Sequence, residues 1–247
     1  MTPGQGPFVH DEIDSTNLEA RRQVDAGVQG PLWIAARRQT LGRGRRGRVW
    51  SSEPGNLAAT LVTPIPGGPA EAGLYSFTAA LAVSDTLQIL APGQDIALKW
   101  PNDVLLNRGK ACGILLESLA SGVSETTLAI GIGLNLAHSP EAPEAIWPPT
   151  SVYAETGQAP EFERSLNTLI DAVSARLQQH RSDGFGRIRK DWLERAINLG
   201  GDIEVRLPKE TLHGRFAGLD TTGALMLEGP TGQRLIAAGD VFFPGDG

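Results

Sequence analysis

Residues 42–50 read GRGRRGRVW, four arginines interleaved with three glycines. A guanidinium presents fixed pairs of N–H donors that match a carboxylate or phosphate edge, each charge-assisted bond contributing about 1.5–3 kcal/mol, while glycine lets the backbone bend and approach what is bound. The combination suits the grip of an anion. Two of the chain's four lysines, Lys99 and Lys110, bracket the run KWPNDVLLNRGK, whose Pro101-Asn102-Asp103 break leaves polar groups at the tip of the KW stretch. Further on, IGIGLNL alternates large apolar residues with glycines before Asn135. That pattern fits a strand whose backbone is approached closely by a flat ligand.

Other chemistries for the arginine-glycine stretch fail on context. Gly42, Gly44 and Gly47 satisfy G-x-G-x-x-G, but VWSSEPGNLAATLV after them has a turn and a strand pattern where a dinucleotide fingerprint needs a helix, and no acid lies between Glu53 and Glu71. No G-x-x-x-x-G-K-[ST] occurs in the chain. Arginine-glycine repeats that bind RNA are longer and lie in disordered tails. A solvated loop with incidental charge is the ordinary fate of a charge run, yet arginines this dense repel one another unless an anion receives them. The alternative is a mobile loop that closes around a phosphate or carboxylate.

Composition narrows the field. The net charge is −6, and residues 37–48 hold six arginines and no acid, so positive charge is concentrated at one spot in an acidic protein. A nucleic-acid binder shows an extended basic face and a pI above about 9, against about 5.3 here. The patch is sized for one small anion, and no DNA partner is expected. The single cysteine, Cys112, can form neither an intrachain disulfide nor a zinc site. The four histidines show no zinc spacing. Neither a secretion signal nor an apolar run of spanning length is present, so a cytoplasmic protein without a membrane partner is expected.

The elements that must position these residues follow from period and breakers. Ser15-Thr16-Asn17 precedes LEARRQVDAG, with Glu19 three residues after Thr16, the pattern of a capping box on a short helix ending at Gly27. PLWIAARRQ predicts a strand entering the arginine stretch, and GNLAATLVTP a second strand ending at Pro64. Residues 72–90 are apolar enough to form a largely buried helix. IALKWPNDVLLN, KACGILLES and TLAIGIGLNL are three β-like runs, followed by a proline-rich loop. Helical spacing returns over residues 161–182 and 185–196. From Asn198-Leu199-Gly200-Gly201 onward, DIEVRL, TLHGRFAGL, GALMLEG and QRLIAAGDVFF are short runs between turns. The expected fold class is α+β, with residues 1–197 as one domain and residues 198–247 as a small β-barrel or meander.

Five segments together resemble biotin protein ligase: STN at 15–17, Q-x-x-GRGRRGRxW at 39–50, KWPND at 99–103, GK-x-x-GIL at 109–115 and GIGLN at 131–135. They occur in that family's order, and the resemblance runs from about residue 8 to the C-terminus. It implies a mixed β-sheet flanked by helices, like that of class II aminoacyl-tRNA synthetases, with a C-terminal Src-homology-3-like β-barrel. The implied reaction joins biotin to ATP as biotinyl-5′-AMP and then acylates a lysine on the biotin carrier domain of a carboxylase, with Mg²⁺ arriving on the nucleotide. Bifunctional members carry a winged-helix domain before the STN segment, and only about a dozen residues precede it here, so repressor activity is not expected. Members without that domain include dimers, which leaves a homodimer open. Lipoate–protein ligase, of related fold and the same adenylation logic, is the nearest rival; a non-enzymatic nucleic-acid or anion-binding module is the rival from another class.

By position, the resemblance assigns Ser15, Thr16, Asn17 and Gln39 to the head of biotin. Arg43, Gly44 and Arg45 become loop contacts to biotin and its adenylate. Lys110 reaches the biotin carboxylate and α-phosphate, and Gly113 lies beside it in the biotin site. Arg48, Trp50, Asn102 and Asn135 fall on the nucleotide side, and Asp103 orients or deprotonates the incoming lysine. GLDTTGALMLEG resembles a barrel turn that can lie near the nucleotide. Structural explanations compete at several positions. Thr16 with Glu19 is a sufficient cap, Asn102-Asp103 is ordinary turn chemistry, Trp50 can anchor a core, Lys99 reads as a salt-bridging or snorkelling residue, and Gly113 and Gly133 can merely relieve crowding.

Overall fold

Alternation of large with small residues, more than of apolar with polar ones, organises the main sheet. The computed structural model describes residues 6–121, 125–141, 147–230 and 232–243. Its first part runs β1 (Phe8–His10), α1 (Thr16–Asp25), β2 (Leu32–Ala36), β3 (Leu57–Pro66), α2 (Pro69–Leu90), β4 (Ile96–Lys99), β5 (Asp103–Leu106), β6 (Gly109–Ser121), β7 (Glu125–Leu134), α3 (Val152–Thr156) and α4 (Phe162–Leu193). Seven strands form one sheet in the order β1-β2-β3-β7-β6-β5-β4. It is mixed: β1 and β2 are parallel, and the other neighbours antiparallel.

Because successive side chains of a strand face opposite sides, each strand divides its residues between two layers. Leu57, Ala59 and Leu61 of β3 and Leu128, Ile130, Ile132 and Leu134 of β7 join the core built with α2 and α4. Val62 and Ala129 point the other way and pack with Ile34 and with Ala20 of α1. On that second face α1 covers only part of the sheet. Under Asn17 of α1 lies Gly131, and beyond the helix the positions are Ala58, Gly113 and Gly133, a floor with almost no side chains.

Several expectations need adjustment. β3 continues two residues past Pro64, because beyond Val62 its sole neighbour is β7 and an edge tolerates proline. IALKWPNDVLLN is two strands, β4 and β5, folded about the Trp100-Pro101-Asn102 turn. The two C-terminal helical runs are joined in α4, which kinks at Gly184 (φ 73°, ψ 176°). The capping box does not form: Ser15 is the cap residue of α1, no side chain caps it, and Glu19 bonds Arg22 and Gln23 instead. The Thr16 hydroxyl is thereby released for other partners.

The remaining strands, β8 (Asp202–Arg206), β9 (Thr211–Leu219), β10 (Leu225–Gly229), β11 (Gly232–Ile236) and β12 (Asp240–Phe242), form an antiparallel sheet ordered β11-β10-β9-β8-β12. QRLIAAGDVFF thus supplies two strands. The sheet docks through the turn at residues 220–223, where Gly223 (φ 78°) accepts a 3.1 Å hydrogen bond from the buried Trp100 indole. A Cβ on Gly223 would lie 2.6 Å from the Phe77 ring of α2. The chain leaving β7 is pinned by Asn56, whose Oδ1 accepts the backbone N–H groups of Leu136, Ala137 and His138 at 3.0 Å each. No helix among the described residues is long and apolar enough to cross a membrane.

Buried donors left without an acceptor are costly. Asn56→Ala is therefore expected to lower stability by about 2–3 kcal/mol, to be checked by the chemical denaturation midpoint; an unchanged midpoint would show that this anchor is dispensable.

Candidate active site

Strand register builds the site. Ala58 pairs with Gly133, Gly133 with Gly113, Gly113 with Asp103 and Asp103 with Lys99, a single row crossing β3, β7, β6, β5 and β4. The row begins as a bare floor and ends in a carboxylate and an ammonium. Above it opens a cleft of about 780 Å³.

The flat group lying on this floor is the chain's own Trp50. A Cβ on Gly133 would come 2.4 Å from its indole, and one on Gly113 2.8 Å. The same reasoning applies at Gly131, where a Cβ would lie 2.2 Å from Asn17 Oδ1. The glycines are therefore required by neighbouring side chains of the cleft.

The arginine-glycine stretch is a small hairpin. Trp50 N–H donates to Gly42 at 3.0 Å and Gly44 N–H to Arg48 at 2.7 Å; Arg43 pairs with Val49, and a 3₁₀ turn spans Arg45–Gly47. Gly42 cannot carry a side chain, since its Cβ would fall 2.2 Å from the Trp50 carbonyl. Three arginines of the hairpin meet acceptors from three different parts of the chain. Arg43 Nη1 lies 3.6 Å from Glu117 Oε1 of β6, Arg45 Nη1 donates to Asn102 Oδ1 at 2.8 Å, and Arg48 Nη2 lies 3.4 Å from Asp240 Oδ2 of β12. Asn102 is held in turn by donating to the Ile114 carbonyl at 2.7 Å.

Lys110 Nζ sits 2.6 Å from Asp103 Oδ1, and Lys99 Nζ 3.9 Å from Oδ2, so one carboxylate faces two ammonium groups. Lys99 thus forms the ion pair read from the sequence, and it also lines the cleft. Cys112, between Lys110 and Gly113, points into the core, where burial pushes its thiol far above the ordinary range. It offers no nucleophile.

At the other end Ser15, Thr16, Asn17 and Gln39 line the cleft. Gln39 Oε1 accepts from the Thr16 N–H at 2.8 Å and lies 3.1 Å from Thr16 Oγ1. Asn17 Nδ2 donates to Glu117 Oε2 at 2.7 Å.

The cleft therefore gathers Ser15, Thr16, Asn17, Gln39, Arg43, Gly44, Arg45, Arg48, Trp50, Asn102, Asp103, Lys110 and Gly113. Asn135 is placed elsewhere. It is buried, donates through Nδ2 to the Thr150 carbonyl at 3.0 Å, and receives the Val152 N–H on its own carbonyl, so it braces the start of α3 and is not among the residues lining the cleft. The GLDTTG turn also lies off the cleft, against Trp100 and Phe77; the second sheet reaches the cleft through Arg206, Asp240, Val241 and Phe242. Sequence pattern alone does not single out Glu117 or Thr60, yet period-two counting from Gly113 and from Ala58 puts both on the cleft face.

The biotin/lipoate A/B protein ligase family matches residues 10–135, and the biotin protein ligase C-terminal domain matches residues 199–243. The chain is 47% identical over 237 residues to a biotin–[acetyl-CoA-carboxylase] ligase of Paracoccus denitrificans, covering 94% of this chain and 98% of that one. The chain belongs to the biotin protein ligase family. A Mycobacterium tuberculosis biotin–[acetyl-CoA-carboxylase] ligase is 32% identical, with 93% of this chain and 86% of the relative covered. Among solved structures, a biotin protein ligase from Aquifex aeolicus in complex with biotin and ATP superposes with a TM-score of 0.80 at 26% identity, covering 96% of this chain and 98% of that one. The mixed sheet with its small C-terminal antiparallel sheet is this family's fold.

In this biotin protein ligase family member the indole and the Gly133 backbone cannot both keep their places once a methyl group is added. Gly133→Ala is expected to displace Trp50 and to cost about 1–3 kcal/mol of stability. With 5-fluorotryptophan labelling, the Trp50 resonance, assigned through Trp50→Phe, should move while the others stay; an unmoved resonance would refute the packing.

Proposed function

We propose that the chain activates biotin with ATP to form biotinyl-5′-AMP and transfers the biotinyl group to a lysine of a biotin carrier domain. The observation that carries this reading is the convergence in one cleft of the polar head pocket around Thr16 and Gln39, the arginine hairpin, and the Lys110–Asp103 pair. The relationship to the Paracoccus enzyme supports it over lipoate activation.

The first step brings two anions together, and fixed cations must offset their repulsion. A carboxylate oxygen of biotin attacks the α-phosphorus and pyrophosphate leaves. Lys110, released from Asp103, reaches the carboxylate and α-phosphate, and Arg45, released from Asn102, reaches the same oxygens from the hairpin. Arg43 and Gly44 lie along biotin, and Arg48 and Trp50 border the nucleotide, Trp50 by leaving the glycine floor. Asn102 turns its freed carbonyl group toward the nucleotide side. Mg²⁺ enters on the polyphosphate, in keeping with its preference for phosphate oxygens and water. In the second step the carrier amine attacks the acyl carbon and AMP leaves; Asp103, no longer paired with Lys110, orients that amine and takes its proton. Closing the hairpin keeps the mixed anhydride from water. Dependence on ATP and on a carboxylase acceptor supports a cytoplasmic setting for the reaction.

With ATP and labelled pyrophosphate, exchange into ATP is expected with biotin and not with lipoate; exchange with lipoate alone would reverse the assignment. Arg45→Ala is expected to weaken biotin binding and speed release of biotinyl-AMP by about tenfold or more, one charge-assisted bond being lost. Unchanged retention of the intermediate in a rapid-filtration assay would mean the hairpin is not a cover.

A further inference from the structure

The polar row behind the head pocket is short of one proton. Thr60 Oγ1 lies 2.7 Å from Asn17 Oδ1 and 2.8 Å from Thr16 Oγ1, and Thr16 Oγ1 lies 3.1 Å from Gln39 Oε1. Both amide oxygens only accept, and Gln39 Oε1 is fixed as an oxygen because it receives the Thr16 N–H at 2.8 Å. Two hydroxyl protons thus serve three oxygen-to-oxygen contacts. One contact must face lone pair to lone pair in a buried setting, where an unmatched polar group is costly.

The direction of the row is set at its far end. An ionised glutamate only accepts, so the 2.7 Å contact with Glu117 Oε2 requires Nδ2 of Asn17 on that side and leaves Oδ1 toward Thr60. Thr60 then spends its proton on Asn17, away from the cleft. Glu117 is itself placed by Arg43, 3.6 Å from its other oxygen. Thr60 is fully buried and off the cleft, whereas Thr16 and Gln39 line it. The missing proton can therefore be supplied only from the cleft, at Thr16 Oγ1 or Gln39 Oε1.

We propose that Glu117, acting through Asn17 and Thr60, is a positioning residue that makes the head pocket demand an N–H donor and so selects a cyclic urea over a ring without N–H groups. The inference rests on the biotin reading above and deepens it. Biotin's ureido ring brings the donor; a dithiolane brings none, which gives the biotin-over-lipoate preference a physical basis. Glu117→Gln keeps the shape and reverses the row. Its new amide nitrogen donates to Asn17, which turns over to donate to Thr60, and each hydroxyl proton moves one place toward Gln39. The row is then complete without a ligand.

The test is calorimetric titration, without ATP, of biotin and of its two cyclic carbamate analogues, each with ring oxygen replacing one ureido N–H. In the unaltered protein at least one analogue is expected to bind at least about thirtyfold more weakly than biotin, and in Glu117→Gln the same penalty is expected to shrink to about threefold or less. In pyrophosphate exchange the Glu117→Gln change should fall on KM for biotin, by about tenfold, with kcat moving less than about threefold. Thr60→Val, which removes one oxygen of the row and frees the Thr16 proton for Gln39, is expected to compress the penalty likewise and serves if Glu117→Gln does not fold. An equal penalty in the unaltered protein and in a folded variant overturns the inference. Failure of the unaltered protein to bind biotin overturns instead the reading on which it rests.

Discussion

The site depends on one geometric constraint, the register that brings Ala58, Gly133, Gly113, Asp103 and Lys99 into a single row. Side chains of a strand alternate faces, so a slip of one residue in β7 would lift Ile132 or Leu134 into the cleft and turn Gly133 into the core. The large residues of β3 and β7 guard against such a slip, since each is buried against α2 and α4. Core packing on one face thus holds the emptiness of the other. The carboxylate of Asp103 comes from the same device, being the next member of the row, with its ion-pair partner Lys99 following it.

The second sheet serves the cleft at two points. The Trp100 indole, in the turn that carries Asn102, is satisfied by Gly223, and Asp240 offers the acceptor for Arg48. The hairpin and the KWPND turn therefore take part of their placement from strands distant in sequence. The head pocket is independent of that sheet. Its geometry comes from α1, β3, β6 and the segment that follows β2, through Thr16, Asn17, Thr60, Glu117 and Gln39.

Much of this is legible in the sequence, and the exceptions have physical reasons. The IGIGL alternation announces a close approach, and glycine content alone places the floor; which flat group lies there depends on a hairpin that returns Trp50 over the sheet, and no local pattern encodes that return. Thr16 followed by Glu19 reads as a capping box, but Glu19 is drawn to Arg22 and Gln23, and Gln39, in the segment after β2, claims Thr16. Asn135, beside the glycines in sequence, is past the end of the strand and turns to brace α3. KWPND reads as one strand with a break and is a hairpin, because Trp100 is buried across both sheets. Glu117 escapes notice because a single acid in an apolar strand has no spacing to advertise it.

The arginine hairpin carries a consequence beyond geometry. Arg43 and Arg48 already face Glu117 and Asp240 before any substrate arrives. Engagement of an anionic ligand is therefore an exchange of partners, in which each new contact strands an old one, and the tally of neutralised charge barely changes. Few ions of the surrounding medium are displaced when that happens, so a site crowded with arginine can operate with little sensitivity to ionic strength.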